Sequence, residues 1–147
     1  MGLVLRTLVH KYGLDRSEVN VVSKQGWVGN DDHNEVPNAM LVSEIIHSTG
    51  LGHDDFVLGG LYCIDPAFLK HSLISSLKKM NLATLDVALL SYPTEVCKGV
   101  YGDAKYYNKL AKAFEFYEFA ISKGWLKSYG VSGHNSFTGT TKKTTDS

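Results

Sequence analysis

Residues 65–90 read DPAFLKHSLISSLKKMNLATLDVALL. Asp65 is a good helix N-cap, and Pro66 suits the first helical position, where its missing N–H costs nothing. Leu69, Leu73, Leu77 and Met80 recur at helical spacing, with Phe68 and Ile74 beside them. Asn81 can close the helix in a left-handed conformation. Leu85 to Leu90 then forms a nearly continuous apolar run of strand length. A strand apolar on both faces belongs in a parallel sheet covered by helices. The stretch therefore predicts a helix over 65–81 feeding such a strand.

The same alternation extends in both directions. Leu3, Val4, Leu5, Leu8, Val9 and Tyr12 give a helical pattern over 1–12, and Gly13 is placed to stop it. Val19 to Ser23 (VNVVS) is rich in β-branched residues and predicts a short buried strand, with Lys24 at its C-terminal end and Gly26 breaking the pattern. Beyond the loop 94–104, Tyr107, Leu110, Ala111, Phe114, Tyr117 and Ile121 predict a helix over 105–123, with Gly124 as its cap. Tyr107, Phe114 and Tyr117 read as its core stripe. Leu126 to Val131 predicts a third strand. Helix, strand, long loop, helix, strand, loop, helix, strand is the order of an α/β fold with a parallel sheet.

Two segments fall outside the alternation. Residues 25–64 are rich in Gly, Asn, Asp and His, with a short apolar stretch from Met40 to Ile46 that suits a helix. Irregular segments of that length inside a domain are usually functional or disordered. The last residues, 138–147, read TGTTKKTTDS and are expected to form a disordered polar tail.

Composition narrows the functional classes. The 147 residues suit one domain and are too few for a complete eight-stranded α/β barrel, which needs about 250. Fifteen basic residues balance fifteen acidic ones, so no overall basic surplus is available for nucleic acid or an anionic membrane surface. No apolar run reaches membrane-spanning length, and the short LVL at residues 3–5, interrupted by Arg6, does not make a signal peptide. Two cysteines, Cys63 and Cys97, cannot build a disulfide scaffold. A reduced, cytoplasmic setting with inert thiols is the default expectation.

In parallel α/β sheets, ligands bind beyond the carboxyl ends of the strands. Here those positions hold Lys24, Gln25 and Gly26; Ser91, Tyr92 and Pro93; and Ser132, Gly133, His134 and Asn135. A lysine, hydroxyls, an amide and an imidazole on one face could hold a polar ligand.

Three stretches carry a resemblance: YGLDRSEVNVVSKQG (12–26), GLYCIDPAFLKHSLISSLKKMNLATLDVALLSYP (60–93) and FEFYEFAISKGWLKSYGVSGHNSF (114–137). In this order they resemble the aldo/keto reductase family, NADP-dependent oxidoreductases built on a (β/α)8 TIM barrel. The segment 25–64 would then be the long loop that one branch of the family carries after its lysine strand. The resemblance covers roughly residues 2–137. It implies a partial aldo/keto reductase domain over 1–137, with about three parallel strands corresponding to the family's strands three to five.

The implied function is NADP(H)-dependent reduction of a small carbonyl, or oxidation of an alcohol. The family uses Asp, Tyr, Lys and His together. Lys24 matches the lysine, and Ser91 stands where the family has His. Ser132 and Asn135 match the pair that holds the nicotinamide carboxamide, with Gly133-His134 expanding the usual spacing by one residue. The family's Asp and Tyr lie on a segment before the helix that opens this sequence, and strands six to eight have no counterpart in it. The resemblance therefore implies incomplete catalytic machinery, weak cofactor binding and possible self-association through exposed strand edges. An inert truncated fragment, or an interaction module, is the alternative from another class.

Other reactive residues read more plainly. Tyr12 falls at the end of the first helix, on the pole opposite the strand ends, and reads as core or surface. His134 reads as a solvated loop residue, although it could replace the missing His. His47, His53, Asp54 and Asp55 do not match a tetrahedral zinc spacing, so no metal is expected.

Overall fold

The computed structural model describes residues 2–29 and 37–134. Helix α1 (Gly2–Tyr12) leads to strand β1 (Val22–Gln25). After α2 (Asn38–Thr49) come α3 (Pro66–Met80) and β2 (Leu85–Ser91). A π-helical turn over Thr94–Lys98 and the short α4 (Gly99–Tyr101) precede α5 (Asp103–Ser122) and β3 (Leu126–Ser132). The three strands form one sheet in the order β1-β2-β3, all parallel. The expected α/β class, with three parallel strands and flanking helices, is the architecture observed.

Local signals place α3. The Asp65 carboxylate accepts the Ala67 N–H, Pro66 occupies the first turn, and Asn81 closes the helix at φ +53°. Leu69, Leu73 and Leu77 are buried towards the sheet. Gly13 and Gly124 end their helices at positive φ, as expected. The apolar face of α1 is a different matter: Leu5 is buried and Val9 packs on the core, while Leu3 and Val4 are 77% and 59% exposed.

Alternation sets the two faces of the sheet. Val22, Lys24, Val87, Leu89, Ser91, Ser128, Gly130 and Ser132 share one face by register. Ser23, Gln25, Ala88, Leu90, Tyr129 and Val131 share the other. That second face carries the helices: Ser23 Oγ lies 3.5 Å from Ser76 Oγ of α3, and the Tyr129 ring stacks on Tyr117 of α5 at 5.1 Å. On the first face, Val22 stays half-exposed and Val87 and Leu89 partly so.

Four expectations need correction. The first strand starts at Val22, not Val19, and carries Lys24 within it. Val19 and Val21 instead accompany the Arg16 and Asp86 contacts at the strand entrance. The segment 25–64 is more ordered than expected. It holds the full helix α2 and a tight hairpin in which Leu58 and Gly59 both have positive φ and Gly60 N–H donates to Val57 O. The loop 94–104 contains the π-helical turn and α4. On α5 the buried stripe is Tyr106, Ala113, Phe116, Tyr117 and Ala120, while Tyr107 is 54% exposed and Phe114 only half-buried. Tyr117 is common to both stripes and stacks on Tyr129, and the buried face continues through Ala113 and Ala120 rather than through Phe114 and Tyr107.

Strand β2 also holds a charge that its apolar reading missed. Asp86 is 4% exposed. Its carboxylate accepts from Arg16 Nη2 at 2.6 Å, Lys127 Nζ at 2.8 Å and the Val21 N–H at 2.8 Å. Burial alone would raise its pKa, but the hydrogen bonds from Lys127, Val21 and Arg16 outweigh it and hold the carboxyl at about 2. The cluster ties the entrances of all three strands together, at the pole opposite the candidate site.

Candidate functional site at the strand ends

The carboxyl ends of the strands are built around Gly26 and Tyr62. Past β1 the chain pairs with residues 61–63: Cys63 N–H donates to Gly26 O and Val28 N–H to Leu61 O, both at 2.8 Å. Gly26 has φ +100°, and a Cβ there would lie 2.6 Å from the Tyr62 ring. Tyr62 is fully buried, packs edge-on against Trp27 and donates its hydroxyl to Ser91 O at 2.8 Å. A residue of the supposedly irregular segment thereby holds the end of β2. Its only sequence signal is an aromatic residue three positions before the α3 N-cap.

Ser91 and Ser132 are the last register pair of β2 and β3. Ser132 Oγ donates to Ser91 Oγ at 3.3 Å. Lys24 lies on the same face, level with Leu89 and Gly130 and so two residues short of the serine pair. The three expected site residues thus share one face and one end of the sheet. Their accessibility differs: Lys24 is exposed, Ser132 half-buried and Ser91 only 1% exposed. Asn135 lies outside the described residues, as does the tail 138–147.

Just beyond the pair, Tyr92 takes a left-handed backbone, φ +56°, and its N–H donates to Ser132 O at 2.6 Å. For a bulky residue that conformation costs about 1–3 kcal/mol and persists only where neighbours fix it. The Tyr92 ring meets the His134 ring at 5.4 Å, and the His134 N–H donates to Glu95 Oε1 at 2.6 Å. Gln25 is buried on the helix face; its Nε2 donates to Ser23 Oγ, and its Oε1 finds no partner among the described residues.

The remaining reactive groups lie apart from this constellation. Tyr12 is 69% exposed at the opposite pole. Burial pushes the Cys63 and Cys97 thiols up to about 12, which keeps both protonated and poorly nucleophilic. Among the described residues no group of three or more His, Cys, Asp or Glu is placed to hold a metal ion. Among them, too, no helix is long and apolar enough to cross a membrane.

No family model matches this chain, and no curated protein does. Solved structures do. An aldo-keto reductase from Bacillus halodurans, in its holo form, superposes with TM-score 0.51 at 15% identity, over 89% of this chain and 32% of its own. An aldo-keto reductase of the silkworm Bombyx mori gives 0.52 at 16% identity, over 88% of this chain and 29% of its own. Its complex with NADPH gives 0.52 over 88% and 28%. The chain therefore carries the fold of a partial aldo-keto reductase barrel and spans about 30% of the length of these proteins.

The strand ends fit such a cofactor only in part. The Ser132 hydroxyl, at the rim of the sheet, is the type of group that binds a carboxamide. The phosphates are another matter. Lys98, in the loop after β2, sits 3.5 Å from Asp103 and against the Tyr107 ring; Lys109 sits 3.7 Å from Asp55. Among the described residues these loops therefore present no convergent set of cations for a pyrophosphate.

Proposed function

We propose that this chain is an aldo-keto-reductase-like oxidoreductase segment whose strand ends take the nicotinamide end of NADP(H) beside a small carbonyl or alcohol. The observation that carries the reading is the shared face of Lys24, Ser91 and Ser132 at the carboxyl ends of three parallel strands, in a fold like that of the NADPH-complexed silkworm enzyme. Bound NADP(H) would supply the hydride; the chain's own groups would position and protonate. Ser132 and Asn135 would hold the carboxamide. Lys24 would place positive charge near the reacting oxygen. Ser91, already engaged by Ser132, would set the position of that hydroxyl rather than touch the substrate. The two buried, protonated thiols are in keeping with a reducing, cytoplasmic setting.

Cofactor binding is expected to be weak, because the phosphates carry most of its charge and meet no cradle among the described residues. Turnover by this chain alone is expected to be far below an enzymic rate. A positioned general acid contributes about 10²–10⁴-fold, and among the described residues no tyrosine pairs with Lys24. The burial of Ser91 favours a second reading: a module that binds without turning over.

A titration of NADPH by its own fluorescence tests the proposal, with NADH and the Ser132→Ala variant beside it. Binding in the high micromolar range that weakens several-fold in the variant supports it. Lack of binding at millimolar NADPH, or binding indifferent to Ser132, overturns it. NADPH oxidation with a reactive aromatic aldehyde separates the two readings: turnover abolished by Lys24→Met makes the chain an enzyme, and binding without turnover makes it a module.

A further inference from the structure

Strand β1 leaves one side open. Val87 N–H donates to Val21 O, so in this parallel ladder the odd-numbered residues of β1 bond to β2. The N–H and C=O of Val22 and Lys24 therefore point the other way, and among the described residues β1 is an edge strand on that side. Each of the two residues offers one donor and one acceptor there.

A cleft of about 490 Å³ follows this edge. Lys24 belongs to the first sheet face, whereas Ser72, Ser76 and Lys79 belong to α3, on the face that carries the helices. All of them line the one cleft, which therefore passes around the edge of β1. Its lining on α3 runs from Phe68 to Lys79, about 16 Å of helix. The four residues of β1 span about 13 Å. The cleft thus flanks the whole strand and not merely its end. Ser76 is tied to the strand: its Oγ lies 3.5 Å from Ser23 Oγ, which also accepts from the buried Gln25. Trp27, Leu41 and Ile45 add apolar surface to the same walls.

The surroundings are basic. Lys24, Lys79 and His71 line the cleft against one carboxylate among its described lining residues, Glu44. Helix α3 (PAFLKHSLISSLKKM) has no acidic residue, and Lys70 and Lys78 line the groove that adjoins the cleft at Ser75 and Lys79. On a chain of zero net charge this is a local excess of positive charge. A second copy of β1 would bring its own Lys24 to the pairing, and a lysine on an edge discourages a strand of like charge.

We propose that the open edge of β1 takes an extended acidic peptide of a partner protein, added to the sheet as a further strand. Main-chain hydrogen bonds to Val22 and Lys24 would give the pairing, as strand addition does elsewhere. Successive side chains of such a strand alternate between the two faces. Its Glu or Asp side chains would therefore reach Lys24 on one face and Lys79 on the other. The site shares Lys24 with the strand-end face, but it does not rest on the oxidoreductase reading, and its test contains no cofactor.

A fluorescein-labelled peptide of the order Glu-Val-Glu-Glu-Val-Glu would be titrated by anisotropy at constant ionic strength. Beside it would run the same peptide N-methylated along its backbone, which keeps the charges but cannot pair as a strand, and one with Lys at each Glu. Both controls should bind about tenfold more weakly, or worse. Amide NMR shifts should centre on Val22–Gln25 and the facing side of α3, with slowed hydrogen exchange at Val22 and Lys24. The double variant Lys24→Gln and Lys79→Gln, both exposed positions, should lose about tenfold while keeping its circular dichroism. Equal binding of the N-methylated peptide would reduce the contact to charge alone and overturn the proposal. So would shifts along β3, undiminished binding in the double variant, or lack of binding at millimolar peptide. A doubled mass in light scattering, with the Val22 and Lys24 amides already protected before peptide is added, would give the edge to a second copy and overturn it as well.

Discussion

The Ser132 hydroxyl donates to the Ser91 hydroxyl at 3.3 Å across the last register pair of the sheet, and Ser91 is sealed from solvent while Ser132 is not. The end of β2 is fixed from two further sides. Tyr62 donates to the Ser91 carbonyl, and the Tyr92 N–H donates to the Ser132 carbonyl. The position is packed for a side chain of serine's size.

Ser91→Ala should therefore cost about 1 kcal/mol, the worth of one hydrogen bond in a partly buried pair. Ser91→His places a much larger ring where Ser91 is 1% exposed, and should cost about 1–3 kcal/mol through overpacking. Urea melts of the two variants check both values. A histidine variant as stable as the original chain would mean that the strand end opens readily, which would bring Ser91 within reach of a ligand.

Acid sensitivity should come from the opposite pole. The Asp86 carboxyl falls from 3.8 to about 2 on folding. Its folded pKa is depressed, so the stability it contributes is fully present above about pH 4 and is lost as pH falls through about 2. At about 1.4 kcal/mol per pH unit of difference, the contribution at neutral pH is about 2 kcal/mol. Asp86→Asn should flatten stability over that acid window and, by leaving Arg16 without its charge partner, cost about 3 kcal/mol at pH 7. Chemical denaturation at a series of pH values reads both effects.

Gly26→Ala should be among the most damaging single-atom changes. It asks alanine to hold φ +100° and pushes a methyl to 2.6 Å from the buried Tyr62 ring. Strain and overpacking together predict a loss of about 3 kcal/mol. Tyr62→Phe in the same background should recover little, because the clash is with the ring itself. Recovery of most of the lost stability would place the conflict at the hydroxyl instead.

The chain on its own should associate with concentration. Among the described residues β1 and β3 are the edge strands of the sheet, the first sheet face keeps Val22 half-exposed, and α1 shows Leu3 and Val4 to solvent. Unpaired edges template further pairing and apolar patches seek cover. Light scattering over a range of micromolar concentrations tests this, and a mass that stays at one chain throughout would count against it.

Much of the architecture was legible because its signals are local. Asp65 and Asn81 mark the ends of α3 through hydrogen bonds within a turn of each residue, and Pro66 through its fixed φ, so no distant contact was needed to read them. The run from Leu85 to Leu90 marks a strand for a similar reason. The parallel order of the sheet followed from the alternation of helix and strand. That Lys24, Ser91 and Ser132 share an end of the sheet also followed, since strands of one direction carry their carboxyl ends together.

What the sequence left open depends on groups far apart along the chain. Asp86 looks like an interruption in an apolar run until Arg16 and Lys127 arrive beside it from the other two strand entrances. Which stripe of α5 is buried was decided by how the helix meets the sheet, where Tyr117 stacks on Tyr129, and not by the size of Tyr107. Tyr62 became the brace of the candidate site only when the hairpin brought it under Gly26. Burial closed Ser91 and left Lys24 open, a difference in access that their common place at strand ends does not reveal in the linear sequence. Periodicity and caps act over a few residues and are written in order; charge pairing, close approach and accessibility belong to residues that meet only when the chain is folded.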